Sequence, residues 1–188
     1  MMAIKIISAG WGNIKKLQLY FSQFGSTSVM QDFELNQEDI LVIPGVGNFD
    51  YLSRILNYEK NRKVINAHYN SGGKIIGICS GFQILFESSE EGYLVGLGFM
   101  RGEIEKLPKL NMGWYSTTSK FEKVYFMNRF GLKETNLVRT HGIKYDFSDT
   151  KEGVRIVSHI RSENILGMQF HPEISRDRCS ALISEFLN

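Results

Sequence analysis

Over the first half of the chain, short and largely apolar runs alternate with stretches whose apolar positions recur at helical spacing. Ala3 to Ile7 (AIKII), Ile40 to Ile43 (ILVI) and Lys74 to Ile78 (KIIGI) are runs of the first kind. Near-continuous apolar strands of this length are what a parallel sheet covered on both faces requires. Between the first two runs, Ile14, Leu17, Phe21 and Phe24 follow helical spacing, opened by Asn13 as a good N-cap and closed by Gly25. A second helical stretch runs through Leu56 to Tyr69 before KIIGI. The pattern predicts an α/β fold with a central, mostly parallel sheet flanked by helices.

After about Gly92 the apolar runs become shorter and more polar, as in KVYFM, NLVRT and RIVSHI, which predicts additional antiparallel strands. The chain ends in a helix with Cys179, Leu182, Ile183 and Phe186 on one face. No internal repeat, low-complexity tract or linker interrupts it, and 188 residues suit one domain, 1–188.

Composition narrows the function classes. With 43% hydrophobic and 22% charged residues the chain can bury a real core. A net charge of +2 without a dense basic run gives no footprint for nucleic acid or a membrane surface. No stretch reaches the roughly 18 apolar residues of a spanning helix, and the N-terminal MMAIKIISAGWGN lacks a signal-peptide pattern. A cytoplasmic protein is expected, with its two cysteines as free thiols.

One of those thiols sits in a suggestive place. Gly77-Ile78-Cys79-Ser80-Gly81 lies between KIIGI and a helix implied by Phe82, Leu85 and Phe86. A nucleophile on a tight strand-to-helix turn needs small neighbours on both sides, and a helix N-terminus would favour a thiolate. The Ser80 N–H would point at an oxyanion formed there. By itself the segment leaves Cys79 evenly divided between nucleophile and buried core thiol.

Of the histidines at 68, 141, 159 and 171, His171 stands out, ending the run Ile165 to Phe170 and followed by Pro172 and Glu173. A two-residue offset along an extended segment would return Glu173 to the side of His171, so that Glu173 orients an imidazole acting as base for Cys79. A capping or solvated role suits His68 and His159 better. Cys179, on its helix face, reads as core. Pro44-Gly45-Val46-Gly47-Asn48-Phe49 directly follows a parallel strand. Its glycines would let backbone N–H groups approach an oxyanion, although PGxG alone is also a common turn. The pieces converge on the carboxyl ends of strands, where α/β proteins bind ligands.

Together these segments resemble the class I, triad-type glutamine amidotransferases. The likeness is carried by Gly10-Trp11-Gly12-Asn13, PGVGNF, GICSGFQILFESSEE, Met112-Gly113-Trp114 and GMQFHPE, and extends over nearly the whole chain. Within the family the details are most similar to the glutaminase subunits of imidazole glycerol phosphate synthase. The resemblance implies Cys79, His171 and Glu173 as the triad, with Gly45, Val46, Gly47 and Ser80 at the oxyanion and Gln83 holding glutamine. It implies no cofactor and no metal. The implied partner is a (β/α)₈-barrel synthase subunit that receives ammonia in a heterodimer, with Asn13 and Met112 to Trp114 facing it.

The likeness weakens where the family carries Tyr-Phe-Val-His-Ser-Tyr, a strand that meets glutamine through its backbone. Tyr125 to Phe130 (YFMNRF) begins well but has Asn and Arg for His and Ser, while Leu137 to Tyr145 (LVRTHGIKY) offers His141-Gly142. The second is the preferred match, which makes His141 the expected contact. Such departures also fit a divergent paralogue that feeds another synthase, such as one aminating a surface-polysaccharide sugar. A non-catalytic α/β binding module and a different thiol hydrolase are the other readings.

Overall fold

The computed structural model describes residues 3–8, 14–45, 47–119 and 123–188. The elements follow in the order β1 (Ile4–Ile7), α1 (Ile14–Phe21), β2 (Thr27–Met30), β3 (Ile40–Ile43), α2 (Phe49–Leu56), α3 (Glu59–Asn70), β4 (Lys74–Ile78), α4 (Ser80–Gln83) and β5 (Ser88–Ser89). The second half adds β6 (Glu103–Tyr115), β7 (Val124–Gly131), β8 (Lys144–Asp149), β9 (Arg155–Arg161), β10 (Ile165–Met168), α5 (Pro172–Ser175) and α6 (Ser180–Leu187).

The main sheet has seven strands in the order β2-β1-β3-β4-β10-β9-β8. β2, β1, β3, β4 and β10 pair in parallel, whereas β9 runs antiparallel to both β10 and β8. Side chains of one strand alternate between two cores: Leu41 and Ile43 of β3 join Phe49, Leu52 and Ile75 on one side, and Ile40 and Val42 join Ile4, Ile76 and Phe21 on the other. Two-sided burial is why these strands read as unbroken apolar runs. β5, β6 and β7 form a separate three-stranded sheet, in which β6 and β7 are antiparallel.

Several expectations are corrected. The helical stretch around Leu56 to Tyr69 is two helices, because Tyr58 is extended (φ −56°, ψ 131°) and breaks the chain between α2 and α3. NLVRT forms no strand: Glu134–Asn136 is a single 3₁₀ turn, and Leu137 begins a segment without regular structure. The helix after Cys79 is only the turn α4, since Ile84, Leu85 and Phe86 are all buried and leave no polar face for a longer surface helix. Asn13, expected as the N-cap of α1, and the rest of Gly10 to Gly12 lie outside the described residues.

Candidate functional site

Three adjacent strands deliver the site. β3 leads into Pro44 and Gly45, β4 ends one residue before Cys79, and β10 ends shortly before His171, so the cysteine lies between the glycine loop and the histidine. The Cys79 N–H donates to the Met168 carbonyl at 2.8 Å, which carries the β4–β10 ladder up to the thiol itself.

Cys79 has φ 52° and ψ −113°, a backbone conformation that non-glycine residues rarely adopt. Strain of this kind costs on the order of 1–3 kcal/mol and persists only where the surroundings enforce it. The flanking glycines show how. A Cβ on Gly77 would stand 2.5 Å from the Gly81 carbonyl oxygen, and one on Gly81 would stand 2.0 Å from that of Ile43. Only glycine at both positions lets the turn fold against β3. The glycine loop is equally close: a Cβ on Gly45 would meet the Cys79 Cβ at 2.6 Å.

His171 is extended (φ −97°, ψ 101°) and caps α5, with Pro172 in the first turn. Glu173 returns to the imidazole because the chain turns into a helix at Pro172, which corrects the expectation of an extended offset. The contact itself is as expected, with His171 Nδ1 and Glu173 Oε1 at 3.0 Å and both residues buried. The backbone is pinned too. The His171 N–H donates to the Tyr125 carbonyl at 2.9 Å, and Ser175 Oγ donates to the His171 carbonyl at 2.8 Å while accepting from the Tyr125 N–H.

Burial by itself would lower the His171 pKa. Cys79 and Glu173 outweigh it and push the imidazole up to about 10. His171 Nε2 and Glu173 Oε2 are buried without a hydrogen-bond partner, so the ring has one nitrogen engaged by carboxylate and the other available for a proton.

A cavity of about 260 Å³ opens over the thiol, lined by Gly45, Gly47, Cys79, Ser80, Gln83, Glu91, His171 and the strand Met127 to Phe130. It is smaller than the roughly 300–1,000 Å³ of drug-sized sites and suits a small polar metabolite. Ser80 is buried at the start of α4. Gln83 is buried, not a surface amide, and its Nε2 donates to the Phe130 carbonyl (2.8 Å) and to Gln169 Oε1 (3.0 Å). Val46 lies outside the described residues.

His141 is not brought to this site. It sits exposed in a turn before β8, and the wall opposite Cys79 is β7 instead, with the thiol 3.7 Å from the Met127 carbonyl. The preferred segment 137–145 is thus replaced by 125–130. A strand that presents its backbone to a ligand constrains its side chains weakly, which is why the pattern Asn128-Arg129 misdirects.

Three residues with a place in the cavity or beside the thiol escape sequence reasoning. Gln169 is fully buried, and its Nε2 faces Cys79 Sγ at 3.9 Å. Glu91 lines the cavity, accepts from the Phe49 N–H at 2.9 Å, and is shifted upward chiefly by burial. Asn128 receives the Asn111 amide at 3.1 Å and donates to the Phe130 carbonyl, steadying the wall. The Gln of QFHPE was a usable signal; the other two lie where no spacing rule applies.

The remaining candidates have structural partners. His68 is buried, with Nε2 3.2 Å from the Lys74 carbonyl oxygen, and His159 pairs with Asp146 at 3.3 Å, so neither is solvated. Cys179 is buried, as its helix face predicts, and burial pushes its thiol up to about 11. A strained thiol beside a carboxylate-held imidazole, in a small polar cavity, is equipped for attack on a carbonyl carbon with proton transfer at Nε2.

The family described as glutamine amidotransferase class-I matches residues 12–187. The chain is 31% identical over 202 residues to the imidazole glycerol phosphate synthase subunit HisH 2 of Vibrio vulnificus (strain YJ016), covering 100% of this chain and 94% of that one. It is 30% identical over 214 residues to the HisH subunit of Prochlorococcus marinus (strain MIT 9312), covering 100% and 98%. Among solved structures, a glutamine amidotransferase crystal structure superposes with a TM-score of 0.74 at 13% identity, covering 97% and 98% of the two chains. PurLQS from Thermotoga maritima gives 0.71 at 19%, covering 99% and 97%. A strained cysteine at the end of a parallel strand, with a family match over nearly all of its length, makes this chain a member of the class-I glutamine amidotransferases and an enzyme of that kind.

Proposed function

We propose that residues 1–188 form one glutaminase unit that hydrolyses glutamine to glutamate and ammonia through Cys79, His171 and Glu173, and that the ammonia passes to a synthase subunit. The observation that carries this reading is the strained Cys79, set between the Gly45 loop and the His171–Glu173 pair on neighbouring strands.

Cys79 Sγ attacks the side-chain carboxamide while His171 Nε2 holds the thiol proton. The tetrahedral oxyanion is stabilised by the Ser80 N–H and by N–H groups of the loop at Gly45, Val46 and Gly47. Collapse expels ammonia, which takes its proton from the imidazolium and leaves a glutamyl thioester. Water, deprotonated by His171, then releases glutamate. Glu173 keeps the proton on Nδ1 and stabilises the imidazolium in both halves. Gln83, which lines the cavity, helps hold glutamine while its Nε2 fixes the β7 wall, and Gln169 positions the thiol. The half-buried Glu91 carboxylate, raised by burial, is suited to the α-ammonium group of the substrate.

The names of the relatives, HisH subunits of imidazole glycerol phosphate synthase, support a synthase subunit as heterodimeric partner, which we take to be a (β/α)₈ barrel acting in histidine biosynthesis in the cytoplasm. A second reading, a paralogue serving another synthase such as one that aminates a surface-polysaccharide sugar, is favoured by one feature. Asn128 and Arg129 stand in the cavity wall where the histidine-pathway pattern has His and Ser.

The test is to purify the chain with its bound partner through a tag and follow amide-labelled nitrogen from glutamine into product. Cys79→Ala should abolish both glutamate formation and label transfer. Normal hydrolysis by that variant would sink the proposal, and the labelled product decides between the two acceptors.

A further inference from the structure

Arg129 occupies an unusual position. Of the arginines among the described residues, only Arg62, Arg129 and Arg161 are partly buried. The Arg62 guanidinium donates to Asn57 and Leu97, and that of Arg161 to Glu185. Arg129 has neither a hydrogen bond nor an ion pair to any described residue, yet it lines the cavity over Cys79. A guanidinium that lines the cavity without a protein partner keeps its donors open to an anion that enters there.

The strand fixes where that anion would lie. The Met127 carbonyl is 3.7 Å from the thiol, and Arg129 is two residues further along β7 on the same face. Two residues of strand advance about 6.8 Å. In glutamine, the attacked carbon and the α-carboxylate carbon are four bonds apart, about 5 Å when extended. Glu91 lines the same cavity with the opposite charge. A zwitterionic head group, with its amide over the thiol, therefore meets one carboxylate and one guanidinium.

Resting on the glutaminase reading, we propose that Arg129 is a specificity-determining residue whose side chain binds the α-carboxylate of glutamine. It requires a free amino-acid substrate and excludes amides without that carboxylate, including internal glutamine in peptides.

Ammonia release by the tagged complex is measured with L-glutamine and with 4-aminobutanamide, which lacks only the carboxylate. For wild type, kcat/KM should favour glutamine strongly. Arg129→Gln should raise KM for glutamine by about 10- to 100-fold with little change in kcat, and compress the preference between the two amides by a similar factor. Arg129→Lys should recover part of it. The preference is a ratio, so partial unfolding of a variant does not disturb it. An unchanged preference in Arg129→Gln, or a wild type that accepts both amides equally, overturns the proposal while leaving the glutaminase reading intact. A loss of partner in Arg129→Gln with unchanged glutamine KM would assign the guanidinium to docking instead. No ammonia release from glutamine by wild type would remove the glutaminase reading itself.

Discussion

At the scale of single residues, the charge of His171 is set by competition. Burial disfavours the imidazolium, and the adjacent Cys79 and Glu173 restore it, so that the group binds its proton up to about pH 10. A raised histidine pKa contributes stability that is complete below the unfolded value of about 6.5 and is lost as pH climbs through the folded one. Glu173→Gln removes the carboxylate charge but keeps an oxygen that can accept from Nδ1. Its stability cost is therefore greatest near pH 6, where the imidazolium most needs its partner, and shrinks toward pH 10. Thermal melts of the two proteins should differ by about 3–10 °C at pH 6 and converge at alkaline pH. The same variant should lose roughly a hundredfold or more in turnover, because the imidazolium that must protonate the departing ammonia is no longer held and oriented by the carboxylate. A gap in melting temperature that widens with pH would mean that Glu173 acts on some group other than His171.

At the scale of elements, the nucleophile turn is a packing problem solved by glycine. Gly81→Ala would force a Cβ to within 2.0 Å of the Ile43 carbonyl oxygen, a backbone atom of a strand buried on both faces. Neither side can yield cheaply, and denaturant unfolding should show a loss of about 1–3 kcal/mol or more. A neutral result would mean that β3 and the turn can part, contrary to this packing. The need for small residues here was legible in the sequence, as were β3 and β4, because two-sided burial writes itself as an unbroken apolar run. The His171–Glu173 contact was legible as a pair, though the helical turn that makes it was not. β6 escaped because Lys106, Pro108, Lys109 and Leu110 are exposed in mid-strand and obey no simple alternation. β7 lost the competition with residues 137–145 because its backbone, not its side chains, faces the thiol. Sequence reports burial well and backbone presentation poorly.

At the scale of the whole molecule, the question is where ammonia goes. β6 and β7 turn one apolar face outward, with Leu110, Met112, Trp114 and Met127 each 43–52% exposed. Met112 pairs with Met127 and Trp114 with Tyr125 across the strands, so the patch is continuous, and Met127 also lines the cavity. An apolar surface on the rim of a site that releases ammonia is well placed for the subunit that consumes it, since docking there would close the cavity to solvent. Trp114 is the natural anchor, its ring held by the Arg178 guanidinium at 4.7 Å and by Tyr125 at 5.5 Å, and therefore presented with little freedom left to lose. Tyr58 provides the contrast. It is 65% exposed but lies between α2 and α3, outside the sheet of β6 and β7. Trp114→Ala should weaken partner binding about 30-fold or more, measured by titrating the purified synthase subunit. Tyr58→Ala should leave that affinity unchanged. If the two variants bind alike, the synthase docks elsewhere, and the apolar face of β6 and β7 needs another explanation.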